Sequence, residues 1–175
     1  WARGLVHQKK IEKKNKNINK HFLFYNSGYN LRPTDVQAAI GHSQFKSLNY
    51  FIRKRTLNRN KIIQSLTKDK RWSNEVSFLQ ANNKVKASWF GIPMLINKRY
   101  KSKTNKILDI LSKGGIENRP IISGNFTKQP SVKKYNLLNK KVKFKNTDII
   151  HKYGFFIGLK VNEIKKIQLQ KFKNI

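Results

Sequence analysis

Short apolar runs alternate with amphipathic stretches in the second half of the chain, and this alternation constrains the fold more than any other feature. Each apolar run is short enough for a buried strand, and each is followed by a stretch with helical spacing. The order strand–helix–strand–helix–strand–helix predicts an α/β fold with three strands. The predicted strands cover residues 87–96, 116–122 and 154–159, and the predicted helices cover 103–113, 146–152 and 162–172, the last capped by Asn162.

The first half of the chain is predicted to be mainly helical. Thr34 and Gln37 have the spacing of a capping box, in which each side chain accepts a hydrogen bond from the other residue's backbone, so a helix is expected to begin there. A second helix with a basic outer face is expected over 51–66. Residues 21–25 (HFLFY) have the composition of a short strand, whereas the polar segments 1–20 and 69–84 are expected to be irregular.

The chain is strongly basic, but the kind of basic residue weakens the case for a nucleic-acid partner. Among 175 residues there are 39 Lys and Arg against 8 Asp and Glu, a formal net charge of +31. Such a charge is typical of proteins that bind nucleic acid or anionic lipid. However, 31 of the 39 are Lys, whereas two-pronged recognition of guanine or phosphate favours Arg. A solvated surface is the favoured interpretation, and a basic nucleic-acid-binding module is a distant alternative.

Several chemistries are excluded by residue type and spacing. The chain has no cysteine, so it has neither a disulfide nor a thiolate site. Its four histidines do not have metal-ligand spacing, so no metal is expected. The acidic residues are too few and too dispersed to nominate a carboxylate pair, and no run approaches the 18 apolar residues of a membrane span. No catalytic residue can be named from the residues themselves.

Two segments have the composition of binding loops. Residues 25–37 place Asn30 and Arg32 just before a capped helix, where backbone donors and a guanidinium suit a phosphate; a simple connector is the alternative. Residues 115–130 place polar side chains around two prolines and a glycine, which suits a ligand wall or, equally, a plain surface loop.

Four motifs follow one another along the chain. They are GYNLRPTDVQAAIG at 28–41, SWFGIP at 88–93, GIENRPIISGNF at 115–126 followed by Gln129-Pro130, and Ile150-His151 followed by GFFIG at 154–158. In this order they resemble the motifs of the DegT/StrS-type sugar aminotransferases, which are fold-type-I enzymes that use pyridoxal 5'-phosphate on nucleotide-linked keto-sugars. The third motif is narrower than the family and is similar to the branch that holds the lipopolysaccharide 3-dehydratases and some perosamine-type aminotransferases.

The resemblance implies that the chain is the C-terminal part of such an enzyme. Residues 1–68 would be the end of the large cofactor domain with its connecting helices, and residues 69–175 would be the small α/β domain. The cofactor-anchoring Lys, or the His that replaces it in the 3-dehydratases, would lie upstream. On this basis the chain has no catalytic residue and is expected to be inactive by itself.

The same resemblance implies the binding residues and partners. Asn30 and Arg32 would reach the cofactor phosphate of a partner subunit in a homodimer. Arg119, Ser123 and Asn125 would line the substrate side, where an Arg could hold the carboxylate of glutamate, the amino donor. His151 is expected to have a packing or capping role rather than a catalytic one.

The expected function is therefore 3-dehydration of a nucleotide-linked 4-keto-6-deoxy sugar for lipopolysaccharide O-antigen. A nucleotide-sugar aminotransferase of the perosamine type is the alternative within the family. A cytoplasmic enzyme is expected, with no nucleic-acid or membrane partner.

Overall fold

The computed structural model describes residues 8–28, 33–138 and 142–173, with the side chains of 171–173 left undescribed. The helices are α1 (Gln8–Lys14), α2 (Asp35–Phe45), α3 (Leu48–Thr67), α4 (Thr104–Lys113), α5 (Pro130–Lys134), α6 (Lys145–Tyr153) and α7 (Lys166–Lys173). The strands are β1 (Val76–Phe78), β2 (Gly91–Ile96), β3 (Asn118–Pro120) and β4 (Gly154–Gly158). Short 3₁₀ helices cover Lys20–Phe22, Lys98–Lys103 and Phe126–Lys128.

These elements form two compact units, each built from separate stretches of the chain. The loop unit consists of the described residues up to 28 together with those of 120–154. The sheet unit consists of the described residues of 33–119 together with those from 155 onward. The last residue of β3 and the first residue of β4 fall on the loop-unit side of the boundary.

The sheet unit is organised around a four-stranded sheet in the order β1-β2-β4-β3. Strands β1 and β2 are antiparallel, with Val76 opposite Ile96 and Phe78 opposite Met94. Strand β2 is largely buried because it and β4 lie at the centre of the sheet, whereas Phe90 just before it is 70% exposed. The buried apolar residues of this unit are Ile62, Ile92, Met94, Ile96, Ile116, Phe155, Ile157 and Leu159.

Helix α3 is fastened to the segments that follow β1 and β4 by two consecutive polar residues. The amide of buried Asn58 donates to the carbonyls of Lys160 and Asn162, each at 2.8 Å. The guanidinium of Arg59, which is 5% exposed, donates to the carbonyl of Leu79 at 2.8 Å. These bonds give partners to backbone carbonyls in irregular segments, which have no sheet or helix ladder of their own.

Arg59 also stacks on an aromatic ring. Its guanidinium carbon lies 4.2 Å from the centroid of the Trp89 ring, and its Nη2 donates to Oε1 of Gln80 at 3.0 Å. Burial lowers the pKa of Arg59 from its usual value. The SWFGIP motif thus supplies the aromatic face for a buried cation.

Several expectations were wrong, and the reasons lie in contacts between distant segments. Residues 21–25 do not form a strand, because Lys20–Phe22 is a 3₁₀ helix and the residues after it bond to side-chain atoms of Gln129. The polar segment 69–84 contains β1, which exists through its pairing with β2. Residues 1–20 include α1, and the last helix begins at Lys166, so Asn162 is not its cap.

The capping box predicted for α2 is confirmed. Gln37 Oε1 accepts from the backbone N–H of Thr34 at 2.9 Å, and Thr34 Oγ1 accepts from the backbone N–H of Gln37 at 3.4 Å. Apolar side chains on this helix are nevertheless exposed, with Val36 at 70%, Ile40 at 59% and Phe45 at 70%.

Candidate functional site

The predicted site residues fall in three places. Asn30 and Arg32 lie outside the described residues. Arg119 belongs to the sheet unit, whereas Ser123 and Asn125 belong to the loop unit. Ser123 and Asn125 therefore share a structural context that can be described, and Arg119 is described by itself.

Arg119 lies in β3 with its guanidinium turned to the surface. Its side chain is 58% exposed and is paired with Glu117, with an Nη2–Oε1 distance of 2.6 Å and an Nε–Oε1 distance of 2.8 Å. An exposed pair of this kind contributes about 0–1 kcal/mol. The guanidinium can therefore exchange Glu117 for another carboxylate at little cost.

The loop that holds Ser123 and Asn125 is a tight turn after β3. Ile122 and Gly124 both have positive φ, at 42° and 55°. A Cβ on Gly124 would lie 2.4 Å from His151 Nδ1 and 3.0 Å from its Cα, so glycine is required by close approach as well as by φ. The "SGN" part of the family motif is thus explained by the packing of this turn against α6.

Asn125 is 2% exposed, and its amide is engaged within the loop unit. Its Nδ2 donates to Asp148 Oδ1 at 2.8 Å. Its Oδ1 accepts from the backbone N–H of Thr127 at 3.0 Å and from Thr127 Oγ1 at 2.7 Å. In this arrangement Asn125 caps a 3₁₀ helix and joins the loop to α6, so it holds the shape of the loop.

His151 supports the same loop from α6. Its Nδ1 accepts from the backbone N–H of Asn125 at 3.2 Å. Burial, with a further contribution from Lys128, lowers the pKa of His151 below its usual 6.5. The imidazole is therefore neutral at pH 7, with Nδ1 committed as an acceptor. This geometry agrees with the packing or capping role expected for His151.

Asp148 completes this cluster. Its Oδ1 lies 2.5 Å from Lys128 Nζ. The hydrogen bond with Lys128 is the main cause that lowers the pKa of Asp148, followed by the hydrogen bond with Asn125. Asp148 is therefore ionised at neutral pH, and the cluster's chemistry is to fix a polar loop in one conformation.

Gln129 stands in one of the sequence motifs but was not predicted to have a task of its own. The side chain is 1% exposed; its Oε1 accepts from the backbone N–H of Phe24 and its Nε2 donates to the carbonyl of Phe22, both at 2.9 Å. The backbone N–H of Ser131 also donates to the carbonyl of Phe24 at 3.0 Å. These bonds fix residues 22–24 beside the loop that holds Ser123 and Asn125, which is called the candidate loop below. A glutamine before Pro130 within a family motif was the available signal.

Two other features bear on function. Within the described ranges, no group of three or more His, Asp or Glu side chains is placed to hold a metal ion. None of the helices in those ranges has the length and apolar character needed to cross a membrane.

The chain matches the model of a known protein family over most of its length. The model of the DegT/DnrJ/EryC1/StrS aminotransferase family matches residues 3–166. The chain belongs to this family. The resemblance seen in its motifs is therefore confirmed.

Relatives of known name include nucleotide-sugar 3-dehydratases and a lipopolysaccharide biosynthesis protein. Over 161 residues the chain is 31% identical to the GDP-4-keto-6-deoxy-D-mannose 3-dehydratase of Escherichia coli O55:H7, which covers 90% of this chain and 40% of that protein. Over 140 residues it is 28% identical to the lipopolysaccharide biosynthesis protein RfbH of Salmonella typhimurium, with 79% and 31% covered. The chain thus spans well under half the length of these relatives.

Solved structures give the same picture. The E. coli 3-dehydratase with bound hydrated pyridoxal phosphate superposes with a TM-score of 0.69 at 28% identity, covering 89% of this chain and 38% of that chain. The aminotransferase PseC of Helicobacter pylori, at 18% identity and a TM-score of 0.61, covers 95% of this chain and 43% of that chain, and shows the fold alone. The predicted α/β class, as part of a pyridoxal-phosphate-dependent transferase fold, is confirmed.

Proposed function

We propose that the protein containing this chain catalyses 3-dehydration of a nucleotide-linked 4-keto-6-deoxy sugar in lipopolysaccharide O-antigen biosynthesis. The observation that carries the proposal is the 31% identity to a GDP-4-keto-6-deoxy-D-mannose 3-dehydratase over 161 residues. The fold shared with the solved E. coli enzyme supports it.

The cofactor of the proposed enzyme is pyridoxal 5'-phosphate. When bound, this group supplies an electron sink for the substrate carbons next to it, and the protein supplies binding and orientation. By family resemblance, Asn30 and Arg32 would contact the cofactor phosphate. The cofactor-anchoring Lys or its replacement His would be supplied by the part of the protein upstream of this chain, so the chain by itself would be inactive.

The candidate residues have distinct proposed tasks. Arg119 would bind the carboxylate of glutamate, since its ion pair with Glu117 is exposed at the surface and weak. Ser123 would face the sugar. Asn125 would act by fixing the turn that presents Ser123, because its amide is bonded to Asp148 and Thr127.

In the whole enzyme, we place residues 1–68 at the end of the large domain and residues 69–175 in the small domain. We also propose a homodimer. The exposed apolar side chains of α2 support an interface, because a helix with several large apolar side chains in solvent commonly marks a protein contact. A cytoplasmic location rests on the family alone.

The test is a turnover assay of the full-length enzyme with GDP-4-keto-6-deoxymannose, pyridoxal phosphate and glutamate. A 3-deoxy product identified by mass spectrometry and NMR supports the proposal. A stable 4-amino sugar would instead establish the aminotransferase alternative. CDP-4-keto-6-deoxyglucose, assayed in parallel, tests the nucleotide.

A nucleic-acid-binding module is the distant alternative from another class. It requires tight binding that weakens steeply with salt and persists at physiological ionic strength. Weak binding that salt abolishes without sequence preference would exclude it.

A further inference from the structure

A basic groove lies in the loop unit beside the candidate loop. It has a volume of about 1150 Å³, and its wall is formed by α1, by Tyr25 and by residues 127–134. Five lysines line it, and no Asp or Glu is among the described lining residues. The lysines are Lys10, Lys14, Lys128, Lys133 and Lys134.

The lysines come from segments far apart in the sequence. Lys10 and Lys14 are one helical turn apart on α1, and the other three follow the candidate loop more than 110 residues later. Bringing like charges together around a concavity is unfavourable by itself and raises the positive potential inside it. This convergence distinguishes the groove from lysines that are merely scattered over a surface.

Little of this charge is neutralised within the described part of the chain. Lys128 is paired with Asp148. Lys134 has neutral partners: its Nζ donates to Asn26 Oδ1 at 2.6 Å and lies 4.6 Å from the centroid of the Tyr25 ring. Glu12, the acidic residue of α1, accepts instead from Gln8 at 2.9 Å.

We propose that this groove binds the diphosphate of a nucleoside diphosphate-linked substrate. The choice of that substrate class rests on the proposed function, while the requirement for a multivalent phosphate rests on the lysines. Ammonium groups suit phosphate oxygens as point charges, and several of them favour an anion with more than one charge. Thr127 and Lys128 belong to the groove and stand two and three residues after Asn125, so a bound diphosphate lies near the turn that holds Ser123.

The experiment measures binding of GDP to the full chain by isothermal titration calorimetry, with guanosine and inorganic diphosphate as companion ligands. The test variant is K10Q/K14Q. The matched control is K9Q/K13Q, which makes the same charge change at the same spacing on the same helix but outside the groove. Circular dichroism checks that K10Q/K14Q and K9Q/K13Q both keep the secondary structure of the unchanged chain.

GDP binding without comparable guanosine binding is expected, with competition by inorganic diphosphate. K10Q/K14Q should weaken GDP binding about tenfold or more, and K9Q/K13Q less than about twofold. If both variants weaken GDP binding equally, the effect comes from net charge and not from the groove lysines. If guanosine binds as tightly as GDP, the phosphates do not contribute to binding. Either result overturns the inference. A single-stranded nucleic-acid 12-mer that displaces GDP, and whose own binding is weakened by K10Q/K14Q but not by K9Q/K13Q, overturns it as well.

The outcome is separable from the turnover assay. GDP binding to the groove requires no reaction, so it can hold even where no 3-deoxy sugar is formed. Conversely, a full-length enzyme that forms the 3-deoxy sugar with an unchanged KM in K10Q/K14Q would overturn the groove and leave the proposed function standing.

Discussion

Several side chains hold the candidate loop and the segment beside it by bonding to backbone atoms. Gln129 uses both ends of its amide on residues 22 and 24, and His151 uses Nδ1 on the N–H of Asn125. Such bonds give a short irregular segment the fixed geometry that a helix or sheet has from its own ladder. The turn at Gly124 depends on them most closely.

Gly124→Ala is expected to lower the free energy of unfolding by about 1–3 kcal/mol, because Ala is strained at a φ of 55° and its Cβ would collide with His151. Urea unfolding measures this change. Gly158→Ala is the control, since a Cβ there meets no atom within 4 Å. A Gly124→Ala protein as stable as Gly158→Ala would contradict the described packing of the turn.

The lowered pKa of His151 predicts a pH dependence of stability. Because the unfolded imidazole binds a proton more tightly than the folded one, the free energy of unfolding falls as pH drops below about 6.5. Lys128 and Asp148 face this group, and the lowered pKa of Asp148 keeps its carboxylate ionised at both pH values.

His151→Asn keeps an acceptor near the position of Nδ1 and removes the titration. Urea unfolding at pH 7.5 and 5.5 should therefore show a smaller loss of stability at the lower pH in this variant than in the wild type. Identical losses in the two proteins would mean that His151 titrates normally.

What the sequence could reveal at this scale was the motif, and not the task of each residue in it. The family resemblance implied a place for Asn125 on the substrate side, and that role stays a prediction. Its commitment to Asp148 and Thr127 depends on α6 lying against the loop, which no local pattern encodes. His151, by contrast, was correctly expected to support packing.

At the scale of elements, α3 organises the sheet unit through Asn58 and Arg59. Arg59 holds the segment after β1 and stacks on Trp89, just before β2. One residue therefore connects a helix with both strands of an antiparallel pair, at the end where β1 stops and β2 begins. Lys cannot replace it, since an ammonium has neither the planar face nor the forked donors.

Arg59→Lys is expected to lower the free energy of unfolding by about 1–3 kcal/mol, because the carbonyl of Leu79 loses its buried donor. Arg53→Lys, at an exposed position of the same helix, should change it by less than about 0.5 kcal/mol. Thermal unfolding monitored by circular dichroism and Trp fluorescence compares the two. Equal changes in stability for the two variants would show that the contacts of Arg59 do not hold α3 to the sheet.

Elements with local signals were predictable and elements made by distant pairing were not. The start of α2 is encoded by Thr34 and Gln37, which bond to each other within one turn. Strand β1 has three residues and exists because β2 lies opposite it. The strand expected at 21–25 failed for the complementary reason: its backbone partners are side-chain atoms of Gln129.

At the scale of the whole molecule, the exposed apolar side chains of α2 predict association. Ile40→Glu places a charge among exposed apolar side chains and should shift the proposed homodimer toward monomer, measured by light scattering after size-exclusion chromatography. Ile167→Glu in α7, where Ile167 is 78% exposed, is the control and should leave the mass unchanged. A monomeric wild type, or a dimer indifferent to Ile40→Glu, would contradict this interface.

The interleaving of the two units has a consequence for the order in which the chain acquires its structure during synthesis. The boundaries between the units fall after residues 31, 119 and 154. Strand β4, which lies between β2 and β3, is added only after the last stretch of the loop unit has been synthesised. During synthesis on the ribosome, the loop unit is therefore the first of the two to have all its segments. The sheet is completed only when the five residues of β4 are added, and until then the edges of β2 and β3 that face each other have no strand between them.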